Sequence, residues 1–170
     1  METIQAILSR RSIRSYVPDQ PITDEDLNAV LKAAMYAPSA MNKRPWEFIV
    51  IQDQKMLDAI RQIHPYAAFI VDAGTIVVLC ENTQNVYGRY GPIDVSLAAQ
   101  NLMLSAHDLG YGTCYCGTYS DEAWVDTFKQ LLKIPSHIIP FGFIAIGTPA
   151  KNPSDPERVE MSKVHYEVWE

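Results

Sequence analysis

The sequence predicts an α+β domain in which helices cover a small sheet. Three observations lead there. Helical apolar spacing recurs in more segments than strand-like runs do. No strand is followed by a glycine-rich turn and a helix, so the pattern of a dinucleotide-binding unit is missing. The 170 residues contain no repeat, low-complexity tract or linker, which fits one domain, 1–170, with one core.

The elements follow in order. Ile4, Ile7 and Leu8 have helical spacing and predict a first helix from about residue 2 to 10. Thr23 followed by Asp26 reads as an N-cap with an acid in the first turn. Leu27, Val30, Leu31, Ala34 and Met35 then mark a second helix, ending before Pro38. Residues 48–51, Phe-Ile-Val-Ile, form a short buried strand. Asp53 caps a third helix carrying Leu57, Ile60 and Ile63, and residues 75–80 form a β-branched strand. Asp94 is expected to cap the strongest helix, which runs to Leu109 and stops at Gly110. Its small residues Ala98, Ala99, Ser105 and Ala106 permit close helix packing. Residues 113–116 form a short strand or strand-like loop, Ser120 caps a helix with Trp124, Val125, Phe128, Leu131 and Leu132, and residues 141–146 form a last buried strand. The tail from Thr148 is polar and proline-rich, then alternates Val164, Tyr166 and Val168, which predicts an edge strand. Docking on a partner subunit would give such a tail a reason to be ordered.

Composition narrows the function classes. Apolar residues make up 48% and charged residues 20%, an ordinary globular balance. No apolar run approaches the ~20 residues of a membrane span; the longest, 138–147, is broken by Pro140 and two glycines. The Met-Glu-Thr start lacks a basic segment leading into an apolar one, so the cytoplasm is the expected location. Three cysteines do not make a disulfide framework. The net charge of −6 argues against nonspecific nucleic-acid binding. Yet Arg10, Arg11 and Arg14 crowd into five residues, either as a solvated basic turn or as an anion site. The pair Cys114-x-Cys116 has a metal or redox reading. Cys80 is distant, however, and none of His64, His107, His137 or His165 falls at a ligand-like offset, so buried strand thiols are expected and no metal. Nothing suggests a Ser-His-Asp constellation or a phosphate loop.

Four segments carry more when taken together. They are Arg10-Arg11-Ser12-Ile13-Arg14; Pro38-Ser39-Ala40-Met41-Asn42-Lys43-Arg44-Pro45-Trp46; Asp94 through Ala99-Gln100-Asn101-Leu102 to Gly110-Tyr111-Gly112-Thr113-Cys114; and Ile146-Gly147-Thr148-Pro149 followed by Arg158. In this order and spacing the chain resembles the FMN-dependent nitroreductase family over essentially its whole length. The resemblance implies a small, mostly antiparallel central sheet flanked by helices, in a homodimer whose subunits exchange their C-terminal tails. It implies FMN as cofactor and NAD(P)H as hydride source, with ping-pong transfer to a nitroaromatic, quinone or similar small acceptor. Other readings are a flavin carrier or sensor without NAD(P)H turnover, or a same-fold flavin-fragmenting or dehalogenating enzyme.

The resemblance also implies residue roles. Arg10 and Ser12 hold the phosphate and ribityl chain, with Arg11 on the same turn; a guanidinium fork suits phosphate. Arg14 faces the pyrimidine edge of the ring, where a cation stabilises the charge of the reduced flavin. Arg158 closes the phosphate site. Pro38, Ser39, Ala40 and Asn42 form a loop against the ring, supplied by the other subunit. Backbone amides near Cys116 and Gly117 pass beside the N5 edge, and no side chain acts as catalytic acid, base or nucleophile. The chain departs from the family at Arg44, where glutamine is common, so that role is not carried over. Residues 81–93 are short where larger members carry a covering helical insertion, so an open pocket is expected. There Tyr87 and Tyr90 either stack on a ring substrate or are plain surface tyrosines.

Overall fold

A computed structural model describes residues 2–64, 66–151, 153–154 and 157–169. Helix α1 spans Thr3–Ser9 and α2 spans Asp24–Met35. A 3-10 turn, Ala40–Asn42, leads into strand β1, Trp46–Ile51. Helices α3 (Gln54–Ile63) and α4 (Ile70–Ala73) precede β2, Thr75–Asn82. The long helix α5, Gly91–Asp108, is followed by β3 (Gly112–Gly117), α6 (Glu122–Leu132) and β4 (Ile138–Gly147).

The strands form one antiparallel sheet in the order β1-β2-β4-β3. Both faces are covered, which explains why β2 is buried at every position from Thr75 to Glu81. Alternation sorts its side chains. Val77 and Leu79 pack with α2 and α5, whereas Ile76, Val78 and Cys80 pack with α3, α4 and α6. Helix α5 meets the sheet through Val95, Ala98, Ala99, Leu102 and Ala106, so small side chains set its close approach.

Local chemistry fixes several ends. Thr23 accepts from the Asp26 amide and Asp53 from the Met56 amide, as N-caps do. Two expected caps are corrected. Asp94 does not cap α5: the helix begins at Gly91 with Pro92 beside it, and Asp94 is the fourth residue, still within the first turn. Ser120 does not cap α6: the Asp121 carboxylate accepts from the Ala123 and Trp124 amides. A carboxylate at that end also suits the positive helix terminus. The four-residue α4, stopped by left-handed Gly74 (φ 72°), carries too few residues to show a period in sequence.

The expected edge strand in the tail is also corrected. Val164, Tyr166 and Val168 lie in no strand and are exposed; the tail's only regular element among the described residues is a 3-10 turn, Met161–Lys163. A strand needs an open edge to pair with. The tail leaves beside β3, where Pro149 bridges Tyr16 and the Ala150 amide donates to Ser15. The sheet's other edge, β1, lies at the opposite side. No helix among the described residues is long and apolar enough to cross a membrane.

Candidate functional site

The arginine segment is built onto the edge of the sheet. After α1 ends, Ser12 bridges Thr113 in parallel register and the Ile13 amide donates to the Thr113 carbonyl at 2.8 Å. Gly112 makes this approach possible, because a Cβ there would lie 2.9 Å from three side-chain carbons of Ile13. The segment and β3 therefore form one unit, with cationic side chains on one side and a strand floor on the other.

The four arginines do different things. Arg11 is buried and turned inward: its Nη1 donates to the Leu8 and Arg10 carbonyls at 2.6 and 2.9 Å. These are α1's last carbonyls, so the cation closes the helix C-terminus. Its Nε donates to the Ser154 carbonyl at 3.3 Å and ties down the tail. Arg10 is half-buried, and its pKa is lowered by burial first, then by repulsion from Arg158 and Arg11. Among the described residues, no carboxylate lies within ion-pair distance of Arg10, Arg14 or Arg158. Ser12, Arg14 and Arg158 are exposed and share a 350 Å³ cleft with Arg11 and Ser154. Bringing Arg10, Arg14 and Arg158 together with no described carboxylate at ion-pair distance costs free energy that an anion would offset.

A second cleft, of 390 Å³, continues from Arg14 along β3 to Gly117. Cys114 and Cys116 line it from the same strand face, as residues two apart must. Cys114 is buried and Cys116 is half-buried. Hydrogen bonding to Cys116, with smaller help from Arg14 and Arg10, brings the Cys114 thiol down to about 7, against the raising effect of burial. Cys116 is pushed up by that same bond and by burial. Tyr115 points to the other face, where its hydroxyl donates to the Phe141 carbonyl at 3.2 Å. A Cβ on Gly117 would meet nothing closer than 3.7 Å, so its small size leaves room for a ligand rather than for the protein's own packing.

Sequence reading missed part of this cleft. His64, Tyr119 and Trp124 line it, with the His64 and Trp124 rings 4.2 Å apart. Burial lowers the pKa of His64. His64 follows α3, far in the chain from Tyr119 and Trp124 at the start of the α6 region, and no shared motif announces the three together. Among the described residues, no group of three or more His, Cys, Asp or Glu is arranged to hold a metal.

The structure thus brings together Arg10, Arg11, Ser12, Arg14, Cys116, Gly117 and Arg158. It does not bring the 38–42 loop to them. Pro38, Ser39, Ala40 and Asn42 line neither cleft. They lie past the end of α2, beside the start of α5, where the Ala40 amide donates to Asp94 at 3.1 Å. The loop is tight and built in strained backbone: Met41, Asn42 and Arg44 all have φ near +50°. The Ser39 hydroxyl accepts from the Arg44 amide at 2.9 Å and closes it.

Comparison with known proteins agrees over nearly the whole chain. The model of the nitroreductase family matches residues 7–73 and 64–148. A protein of Methanothermobacter thermautotrophicus, with the provisional name NADH dehydrogenase/NAD(P)H nitroreductase, is 39% identical over 170 residues, covering 99% of this chain and 88% of its own. The FMN reductase (NADPH) of Bacillus subtilis is 27% identical, covering 97% of this chain and 73% of its own. The solved structure of an FMN-dependent nitroreductase from Clostridium difficile superposes with a TM-score of 0.89 at 29% identity, covering 98% and 99% of the two chains.

Proposed function

We propose, for a chain that belongs to the nitroreductase family and is an NAD(P)H-dependent oxidoreductase using FMN, that two copies together build the flavin site. The observation that carries the site assignment is Arg10: half-buried, pressed by Arg11 and Arg158, and without a described carboxylate partner. A dianionic phosphate supplies the missing charge. Arg10, Ser12 and Arg158 hold it, while Arg11 orders the turn from behind. Arg14 borders both the arginine cleft and the β3 cleft, so its charge would face the pyrimidine edge of a ring bound across them. The strand Cys114–Gly117, which lines the second cleft, would carry the ring, with the backbone at Cys116 and Gly117 beside its reactive edge.

Bound there, FMN would supply hydride chemistry between NAD(P)H and a nitroaromatic, quinone or similar small acceptor, in ping-pong order. The protein's share is to hold, orient and stabilise charge. Each charge-assisted hydrogen bond contributes ~1.5–3 kcal/mol, so a few of them with ring burial support sub-micromolar binding, roughly −8 kcal/mol or better.

The second copy enters because a single chain leaves its own 38–42 loop away from the clefts. A twofold dimer that places each loop over the partner's β3 floor completes two equal sites. Exposed apolar side chains support such an interface: Ile93 and Leu97 one turn apart on α5, Met35 and Met41 by the loop, and Val164, Val168 and Trp169 in the tail. The tail would then find in the partner the strand edge that its own chain does not offer.

The test is an absorbance spectrum. Purified protein is incubated with FMN, desalted and titrated anaerobically with NADPH or NADH. Retained flavin that bleaches with either nucleotide, and recovers on adding a quinone, supports the reading. Protein left colourless, or flavin that neither nucleotide bleaches, overturns it.

A further inference from the structure

Residues 38–46 and 82–93 contain no acidic residue, yet they hold Lys43, Arg44 and Arg89 in a chain of net charge −6. The structure ties the two segments together. Asn85 Nδ2 donates to the Lys43 carbonyl at 2.7 Å, the Asn82 amide to the Pro45 carbonyl at 2.7 Å, and the Ala40 amide to Asp94 at 3.1 Å. Arg89 lies in the chain between Asn85 and Asp94, so the three cations belong to one surface. All are exposed, and none has a carboxylate within ion-pair distance among the described residues. The acids of the adjoining elements do not answer them. Glu81 and Asp94 are buried, and the exposed Glu47 accepts from Asn82 at 3.2 Å.

Two tyrosines lie in the same segment. The rings of Tyr87 and Tyr90 are 6.2 Å apart and 19° from parallel, and the residues are 50% and 49% exposed. The Tyr90 amide donates to the Tyr87 carbonyl at 3.2 Å and closes the turn that carries Arg89. The backbone under the loop cations is fixed as well. The Ser39 hydroxyl accepts from the Arg44 amide, and Met41, Asn42 and Arg44 are held left-handed. Cations that their own protein leaves unpaired, beside open aromatic faces, are complementary to a ligand with phosphates and a flat base. On an acidic protein they are also where an anionic substrate is steered.

We propose that Lys43, Arg44 and Arg89, with Tyr87 and Tyr90, bind the adenosine-phosphate half of the nicotinamide substrate, and that this surface selects NADPH over NADH. The adenine stacks on the tyrosines and the diphosphate meets the cations. NADPH carries one phosphate more than NADH, on the adenosine ribose, and an arginine suits it. The chain has no dinucleotide fingerprint, so an exposed surface of this kind is where such selection can reside. The loop that presents Lys43 and Arg44 is the one read above as lying over a second copy's β3 floor, which sets the nucleotide's anchor beside the ring. That reach rests on the flavin reading; binding of the adenosine half does not.

The test uses the full-length protein as wild type, Arg44→Ala, Arg89→Ala, Tyr87→Ala with Tyr90→Ala, and Tyr87→Phe with Tyr90→Phe. Lys32→Ala, an exposed cation on α2, is the control. Calorimetry measures binding of adenosine 2′,5′-bisphosphate and adenosine 5′-monophosphate, with and without FMN. Steady-state rates with a quinone give kcat/KM for NADPH and NADH. The bisphosphate should bind the wild type about tenfold more tightly than the monophosphate. Arg44→Ala and Arg89→Ala should each weaken it about tenfold and lower kcat/KM for NADPH by as much, with NADH changed less than about threefold and kcat kept. The alanine pair should weaken both nucleotides alike, and the phenylalanine pair should restore them. Lys32→Ala should match the wild type. A bisphosphate that binds no more tightly than the monophosphate, or arginine variants with a wild-type ratio of NADPH to NADH, overturns the selection. Wild-type affinity in the alanine pair overturns the stacking, and an equal loss in Lys32→Ala overturns the site in favour of general surface charge. Protein that retains no FMN, or flavin that neither nucleotide bleaches, overturns the flavin reading instead, and the calorimetry still decides the adenosine site.

Discussion

Ser12 and Thr113 form a parallel bridge, and next to it the Ile13 amide donates to the Thr113 carbonyl at 2.8 Å. That pairing fixes the distance between the arginine turn and the β3 floor. It makes the phosphate end and the ring end of the proposed flavin site one rigid piece.

Gly112→Ala tests that pairing. The added methyl would lie 2.9 Å from Ile13 carbons, so the arginine turn must shift. Such overpacking costs ~1–3 kcal/mol. The expected outcome is a folded protein, by circular dichroism, with FMN affinity reduced tenfold or more, which is ~1.4 kcal/mol.

Arg10→Ala should separate binding from stability. The substitution removes a cation that Arg158 and Arg11 repel, so the flavin-free protein should melt no lower than the wild type. FMN affinity should fall roughly tenfold to a hundredfold, corresponding to ~1.5–3 kcal/mol for a charged hydrogen bond. Thermal melts with and without FMN check both halves.

Arg14→Ala should keep more flavin than Arg10→Ala and change its redox behaviour. A cation near the pyrimidine edge favours the reduced, negatively charged ring. Without it the potential should fall, by on the order of 30 mV, equivalent to ~1.4 kcal/mol for two electrons. Spectroelectrochemical titration of the two proteins measures the shift.

The double substitution Cys114→Ala with Cys116→Ala tests whether the thiols take part. Hydride transfer needs geometry and charge, so the rate of FMN reduction should stay within about tenfold, ~1.4 kcal/mol of barrier. Slowing by thousands of times would make the cysteines catalytic. The Cys114 thiol, ordinarily near 9.0, sits at about 7 through its bond from Cys116 and the nearby arginines. A depressed acid contributes stability that is complete above its unfolded pKa and lost as pH falls through the folded one. Urea melts of the wild type should therefore gain stability between about pH 7 and 9 relative to the double variant.

Much of this was legible in the sequence, for physical reasons that differ by residue. Thr23 and Asp53 were readable because a cap is a local device joining neighbours in the chain. Asp94 was misread as one because a lone acid before an apolar stretch looks the same whether it caps α5 or holds Ala40, 54 residues away. Arg11 sits in the arginine cluster, yet it spends its donors on α1 carbonyls, a geometry no composition signals. His64 and Trp124 reach the β3 cleft only through tertiary packing. Val164, Tyr166 and Val168 have strand periodicity, but period alone does not provide an edge to pair with.

The central claim is that each flavin site takes its arginines and strand floor from one chain and its loop from another. The most direct measurement mixes two defective proteins. Arg10→Ala damages the phosphate end, and Ala40→Trp fills the space above the ring while leaving the Ala40 amide free to bond Asp94. Each homodimer alone should bind little FMN. After unfolding and refolding together, random pairing gives about half mixed dimers, each with one intact site, so about one quarter of the sites should bind FMN. That recovery is the predicted result. Flavin content that stays at the level of the separate variants would contradict a shared site.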